Sequence, residues 1–257
     1  MNVNDIEMFL NEVFPKENAM SYDNTGLIAG DREKIVSAVV LSLDLTDKAI
    51  ETARNAGANL IVTHHPIIFG GIKTLTLDDA TGRTLANLIR SGISVISCHT
   101  NLDMTNEFGN LAIADKLEAE NPKSVEGVEC GVVYDIVTID LMTLRKYCRF
   151  VAEKLGSSGI ITINNPENIV RRVFVQGGAF DEDSIPGVIK CGADTVVSGE
   201  IKHHVCVALE QMGINTVIAG HSATEQAYLP KLRQLLSEKY PGIEFTVNYN
   251  NEVPSIL

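Results

Sequence analysis

Leu60-Ile61-Val62-Thr63-His64-His65-Pro66 decides how this chain is read. Four apolar or β-branched residues make a strand suited to burial on both faces, and two imidazoles follow where a proline stops it. The pattern recurs twice. Val95-Ile96-Ser97-Cys98 runs into His99, with Asp103 four residues on. Thr216-Val217-Ile218-Ala219-Gly220 runs into His221 and then Ser222-Ala223-Thr224-Glu225. In open α/β sheets ligands bind beyond the carboxyl ends of strands, so three such ends predict one shared site. Imidazole suits Zn, Fe, Mn, Co or Ni, and carboxylates suit the harder members of that set.

Outward from these strand ends, helices and strands alternate. Ile35 to Leu43 is a nearly continuous apolar run, followed by a helix that Thr46 caps and Gly57 closes. Strand 59–63 leads through Gly70-Gly71 to a helix around 79–90, then to strand 93–97 and a helix over 106–118. The stretch Glu118-Ala119-Glu120-Asn121-Pro122-Lys123 reads as a polar loop. After it come strand 132–139, helix 142–155, strands at 159–163 and 171–176, and helix 184–191. Strand 194–198, helix 203–212, strand 215–219, helix 222–238 and a last strand at 246–249 complete the pattern. An amphipathic helix opens the chain, with Asn4 and Glu7 at capping-box spacing and Ile6, Phe9, Leu10, Val13 and Phe14 on one face before Pro15. Short strand–helix units predict an α/β fold of two lobes, each a mostly parallel sheet layered with helices, with the metal site in the cleft between segments. The expected first lobe is 1–125, with 215–257 folding back onto it, and the second is 126–214.

Bulk properties narrow the function. A chain of 257 residues, 45% hydrophobic, can fill the core of one large domain or two small ones. No apolar run reaches the roughly 18 to 20 residues that span a bilayer. The start, Met1-Asn2-Val3-Asn4-Asp5-Ile6-Glu7, is polar and acidic, unlike a secretion signal. Cys98, Cys130, Cys148, Cys191 and Cys206 are scattered and form no C-x-x-C pair. Together these predict a cytoplasmic protein with no membrane attachment. A formal net charge of -12 works against nucleic acid as partner, since phosphate neutralisation needs clustered Lys and Arg. A local basic pocket for a phosphorylated small molecule remains open through Lys202, Arg171 and Arg172, although solvated surface charge is the simpler role for the arginine pair.

Each chemical segment has a plainer alternative. Adjacent strand residues point to opposite faces, so His64 and His65 reach one site only where the strand has ended. Splayed around that site they could serve two different ions; otherwise they are a hydrogen-bonded pair at a strand end. His221 and Glu225, four apart at the start of a helix, share one face. An acid near a helix N-terminus is also favoured by the dipole alone. Asp103 could form an Asx turn. Taken as a group, three imidazoles and two carboxylates can hold two divalent ions with bridging oxygen ligands. His99 reads as a ligand, an outer hydrogen-bonding group or a general base, the last two being favoured. Ser198-Gly199-Glu200-Ile201-Lys202-His203-His204 is a fourth polar strand end, where Glu200, Lys202 and His204 are candidates to contact substrate. The fingerprints G-x-G-x-x-G, G-x-x-x-x-G-K-[ST], G-x-S-x-G and H-E-x-x-H are all absent.

With these segments in view, the chain resembles the NIF-three-like family (NGG-one-interacting factor three), whose bacterial members are called GTP cyclohydrolase 1 type 2 homologues. The matching stretches are Tyr22-Asp23-Asn24-Thr25-Gly26-Leu27, Thr63-His64-His65-Pro66, His99-Thr100-Asn101-Leu102-Asp103, Gly177-Gly178, Ser198 to His204, and Gly220-His221-Ser222-Ala223-Thr224-Glu225. The resemblance implies two related lobes, a ring-shaped homohexamer, and two divalent ions per chain held by His64, His65, Asp103, His221 and Glu225. Tyr22 stands where the family has Trp, a change expected to affect packing rather than metal. Longer relatives insert a mid-chain domain that this chain is expected to lack. The function so implied is metal-dependent hydrolysis of a nucleotide or related small molecule, with His99 catalytic. The alternative is a metal-handling or regulatory protein without turnover.

Overall fold

The computed structural model describes residues 1–105 and 108–249. Its elements run α1 (Val3–Val13), β1 (Gly26–Ala29), β2 (Ala38–Ser42), α2 (Asp47–Asn55), β3 (Leu60–Thr63), α3 (Ala80–Arg90), β4 (Ser94–Ser97) and α4 (Thr100–Asp103). Then follow α5 (Gly109–Lys116), β5 (Glu120–Ser124), β6 (Val132–Asp135), α6 (Leu144–Leu155), β7 (Arg172–Ala179), α7 (Ile185–Lys190), β8 (Thr195–Glu200), α8 (His203–Gln211) and β9 (Asn215–Ile218). The chain closes with α9 (His221–Glu225), α10 (Tyr228–Lys239) and β10 (Glu244–Val247). Of the helix expected over 106–118, residues 106 and 107 lie outside the described residues.

The strands form two five-stranded sheets, and the chain divides into two compact units. The first unit spans Met1–Thr105 and resumes at Leu229; the second takes described residues 108–228. Expected boundaries at 125 and 214 therefore move to 105 and 228. The reason is strand pairing: β5 bonds to β6, and β9 bonds to β8, so both belong to the second sheet. Only β10 returns to the first, parallel to β2.

In the first sheet the order is β1-β4-β3-β2-β10, and every pairing is parallel except β1 with β4. All residues of β2, β3 and β4 are buried, which accounts for their lack of polar alternation. Val40, Ile50, Ile61, Leu88 and Val95 lie in one cluster that joins strands to α2 and α3. Thr46 caps α2 through its hydroxyl, and Gly57 follows the helix at φ +64°, as their residue types predict.

The second sheet, β5-β6-β7-β8-β9, is mixed. β7, β8 and β9 are parallel, while β5 and β6 run antiparallel to their neighbours. Its own core includes Phe174, Val188, Val196, Leu209 and Ile214. β5 occupies the stretch read as a polar loop. It is an edge strand with a mostly exposed Glu-Asn-Pro-Lys-Ser sequence, and an edge tolerates proline and charge. The strand expected at 159–163 reduces to a single bridge from Ile161 to Ile218.

α1 is capped by Asn2 with Asp5, two residues earlier than the Asn4–Glu7 spacing suggests. Glu7 is freed for another task. Its carboxylate, 5% exposed, accepts from the Leu27 amide at 3.0 Å, from Lys16 Nζ at 3.1 Å and from the Arg32 guanidinium. Gly26, at φ +93°, leaves room for the Lys16 and Glu7 side chains where a Cβ would collide with both. Burial alone would raise the Glu7 pKa, but these donors outweigh it and hold it below the ordinary value. A carboxylate with a lowered folded pKa stabilises above its unfolded pKa, about 4.3, and loses that contribution as pH falls through the folded value. We expect Glu7→Gln to cost about 1–3 kcal/mol at neutral pH. Denaturant unfolding should show the gap between variant and native protein narrowing once pH drops below about 4; a pH-independent difference would assign Glu7 a packing role only.

Candidate metal centre

In the first unit the imidazoles are assembled by backbone register. The ladder continues past β3: His64 N donates to Ser42 O at 3.1 Å and His65 N to Leu43 O at 2.9 Å. The two rings do not splay to opposite faces; their centroids are 4.9 Å apart. His99, just beyond β4, places its ring 5.2 Å from that of His64 and 5.6 Å from that of His65. One ligand nitrogen from each of the three lies within 4.8 Å of the others. Asp103, at the end of α4, brings Oδ1 to 3.7 Å from His64 Nε2.

Each ring has its Nδ1 committed elsewhere. His64 Nδ1 donates to the Cys98 carbonyl at 2.8 Å, His65 Nδ1 to Asp44 Oδ1 at 2.9 Å, and His99 Nδ1 to Asp23 Oδ1 at 2.8 Å. A carbonyl can only accept, so neutral His64 carries its proton on Nδ1 and its lone pair on Nε2. Carboxylates impose the same tautomer on the other two. Outer hydrogen bonds of this kind orient imidazoles for divalent ions and raise their basicity. The residues present therefore fit a borderline transition metal. The Cys98 thiol takes no part as a ligand: burial pushes its pKa up to about 12, which keeps it protonated.

In the second unit β9 ends at Ile218, and Gly220, at φ +95°, turns the chain into α9. His221 Nε2 stands 3.1 Å from Glu225 Oε1, and His221 Nδ1 stands 3.4 Å from Glu200 Oε1. The Glu225 side chain is 5% exposed and Glu200 64%. Glycines permit the close approach of α9 to the strand ends. A Cβ on Gly178, at φ +60°, would lie 2.3 Å from Glu225 Oε1, and one on Gly199 would lie 2.7 Å from His221 Cα. Thr224 completes the join, with its hydroxyl accepting from Gly178 N at 3.1 Å.

A family model, Duf34/NIF3 (NGG1p interacting factor 3), matches residues 1–253. The chain belongs to the DUF34/NIF3 family. It is 28% identical to a GTP cyclohydrolase 1 type 2 homolog of Clostridium perfringens, over 99% of this chain and 98% of that one. It is 30% identical to the GTP cyclohydrolase 1 type 2 of Helicobacter pylori, over 91% of each. The fold is similar to that of the Staphylococcus aureus protein SA1388, with a TM-score of 0.91 at 23% identity, covering 100% of this chain and 99% of that one.

Within this DUF34/NIF3 chain, the first unit brings together His64, His65, His99 and Asp103, and the second brings together His221, Glu225 and Glu200. Lys202 and His204 are drawn elsewhere. Both pair with Glu182, at 3.2 and 3.0 Å, on exposed surface. The His204 ring and the Lys202 ammonium together hold the Glu182 carboxyl below its ordinary pKa. Arg171 and Arg172 lie at the opposite end of the parallel strands from Lys202, so the three do not make one basic pocket. Tyr22, expected to bear on packing, is 66% exposed.

Asp23, Asp44, Glu182 and the contact role of Gly178 were not assigned from the sequence. Asp44 had a usable signal, since it lies just past an apolar strand, where the carboxyl-end rule applies. A test of the glycine contact is direct. Gly178→Ala combines left-handed strain of about 1–2 kcal/mol with displacement of the Glu225 carboxylate. The thermal midpoint should fall by roughly 2–8 °C, and metal retention should fall with it. A variant indistinguishable from native in both would show that Glu225 adjusts freely.

Proposed function

We propose that this chain is a metal-dependent hydrolase that holds two divalent ions and acts on a nucleotide or related small molecule. The proposed ligands are those the family resemblance carries over: His64, His65 and Asp103 on the first unit, His221 and Glu225 on the second. One observation carries the metal reading. Nδ1 of each imidazole of the first unit lies within 2.9 Å of an acceptor oxygen of its own, an arrangement that assigns Nε2 to an ion. A divalent ion held there supplies Lewis acidity and lowers the pKa of water.

The remaining work falls to the chain. His99, tied to Asp23 through Nδ1, offers Nε2 to accept a proton. Glu200, mostly exposed beside His221, is available to accept hydrogen bonds from substrate. The name of the Helicobacter pylori relative points to a purine nucleotide. Free thiols at all five cysteines accord with a reducing, cytoplasmic setting. Among the described residues no helix is long and apolar enough to cross a membrane.

Elemental mass spectrometry of protein prepared without chelator should find about two divalent ions per chain after reloading, the number a paired hydrolytic site holds. His64→Ala combined with Glu225→Ala should remove them. A metal-dependent turnover screen over nucleotides and phosphoesters, with His99→Ala as control, should then find a substrate. Metal binding without turnover on any class would favour storage or delivery of metal.

We further propose a homohexamer, a closed ring that would limit partners to small or extended molecules. Six copies of 27.9 kDa give a mass of about 170 kDa by light scattering. A monomer at neutral pH and moderate salt refutes the ring.

A further inference from the structure

We propose that Asp23 is a positioning residue for His99, fixing the imidazole as the Nδ1–H tautomer so that Nε2 is its sole proton-accepting nitrogen. The role this gives His99 in turnover rests on the hydrolytic reading above; the tautomer itself does not.

The Asp23 side chain is fully buried, and both carboxylate oxygens are saturated. Oδ1 accepts from His99 Nδ1 and from Asn24 N, each at 2.8 Å. Oδ2 accepts from Thr100 N at 2.9 Å and from the Thr100 hydroxyl. Burial opposes ionisation, yet these donors outweigh it and hold the carboxyl well below the usual range. Asp23 is therefore a fixed anion that can only accept, and a ring nitrogen 2.8 Å from it must donate.

The pair His65–Asp44 shows what a looser arrangement looks like. Asp44 is 46% exposed, and water can compete for its oxygens. The Asp23 carboxylate is shielded from solvent, so water competes less for its oxygens. Phe69 packs edge-on against His99, with centroids 5.4 Å apart. A base held by a buried carboxylate, with its second nitrogen available, is the arrangement by which hydrolytic sites orient a proton acceptor.

Asp23 also binds the first turn of α4 through Thr100, so a purely structural role must be separated. Thr100→Val removes the hydroxyl that donates to Oδ2 and accepts from Met20 N at 2.9 Å, and leaves the His99 bond intact. Asp23→Asn and Asp23→Ala change the bond to His99 itself. In the asparagine variant either amide group can face His99, because Asn24 N donates at the Oδ1 position and Thr100 N at the Oδ2 position. In the alanine variant no acceptor is left.

The test is ring nitrogen-15 NMR of metal-free protein at about pH 8, above the usual histidine pKa, with His99→Gln assigning the signal. Native protein and Thr100→Val should show His99 protonated at Nδ1 only. Asp23→Ala should move it towards the Nε2–H form. A native spectrum with Nε2–H or mixed tautomers at His99 overturns the proposal without further variants. So does a folded Asp23→Ala variant that keeps Nδ1–H only, or a Thr100→Val shift as large as that of Asp23→Ala. Metal analysis of the same samples tests the hydrolase reading separately, because the tautomer is read without metal. Where turnover is found, Asp23→Ala should lower kcat on the order of 100-fold or more, with KM and bound metal changing less than about twofold.

Discussion

Parallel register is the constraint on which the cluster in each unit depends. In the first sheet Ser42, Thr63 and Ser97 are aligned across β2, β3 and β4, so whatever follows each strand emerges at one edge. Asp44, His64, His65 and His99 are those residues. β1 runs the other way and pairs Gly26 with Ser97, so it is the start of β1 that reaches the same edge. That brings Asp23, three positions before Gly26, to His99 from the opposite chain direction. In the second sheet the alignment of Gln176, Ser198 and Ile218 across β7, β8 and β9 does the same for Gly178, Glu200 and His221.

The legible parts of this arrangement share one property. β2, β3, β4, β8 and β9 are buried on both faces, and a run of Val, Ile and Thr without alternation announces that burial directly. The histidines and Glu225 were legible because they follow such runs. β1 was missed because it is four residues long, begins with glycine and sits at an edge with irregular register. β5 was missed because an exposed edge strand has the composition of a loop. Asp23 could not be found by looking downstream of strands, since it precedes one. The boundary near 228 is a matter of which strand β9 bonds to, a long-range choice that local composition does not encode.

The two units share a kernel of three parallel strands joined by helices and differ in what surrounds it. The first unit places β1 antiparallel against the last strand of its kernel; the second places β6 antiparallel against the first strand of its own. Their chemistry differs too. In the first, side-chain and carbonyl acceptors orient imidazoles from behind. In the second, the absence of side chains at Gly178 and Gly199 lets a short helix approach the strand ends closely enough for Glu225 and His221 to meet. One half is built by added hydrogen bonds, the other by removed volume.

β10 bonds to β2 although more than two hundred residues separate them. During synthesis the first sheet therefore cannot be finished until β10, more than two hundred residues after β2, has left the ribosome. Until then β2 presents a bare, apolar edge with unpaired backbone groups, the kind of surface that recruits foreign strands. The second unit, contiguous over its described residues 108–228, has no such wait. The order of maturation is thus reversed relative to the order of translation: the second unit can settle first, and the first is sealed only when β10 emerges.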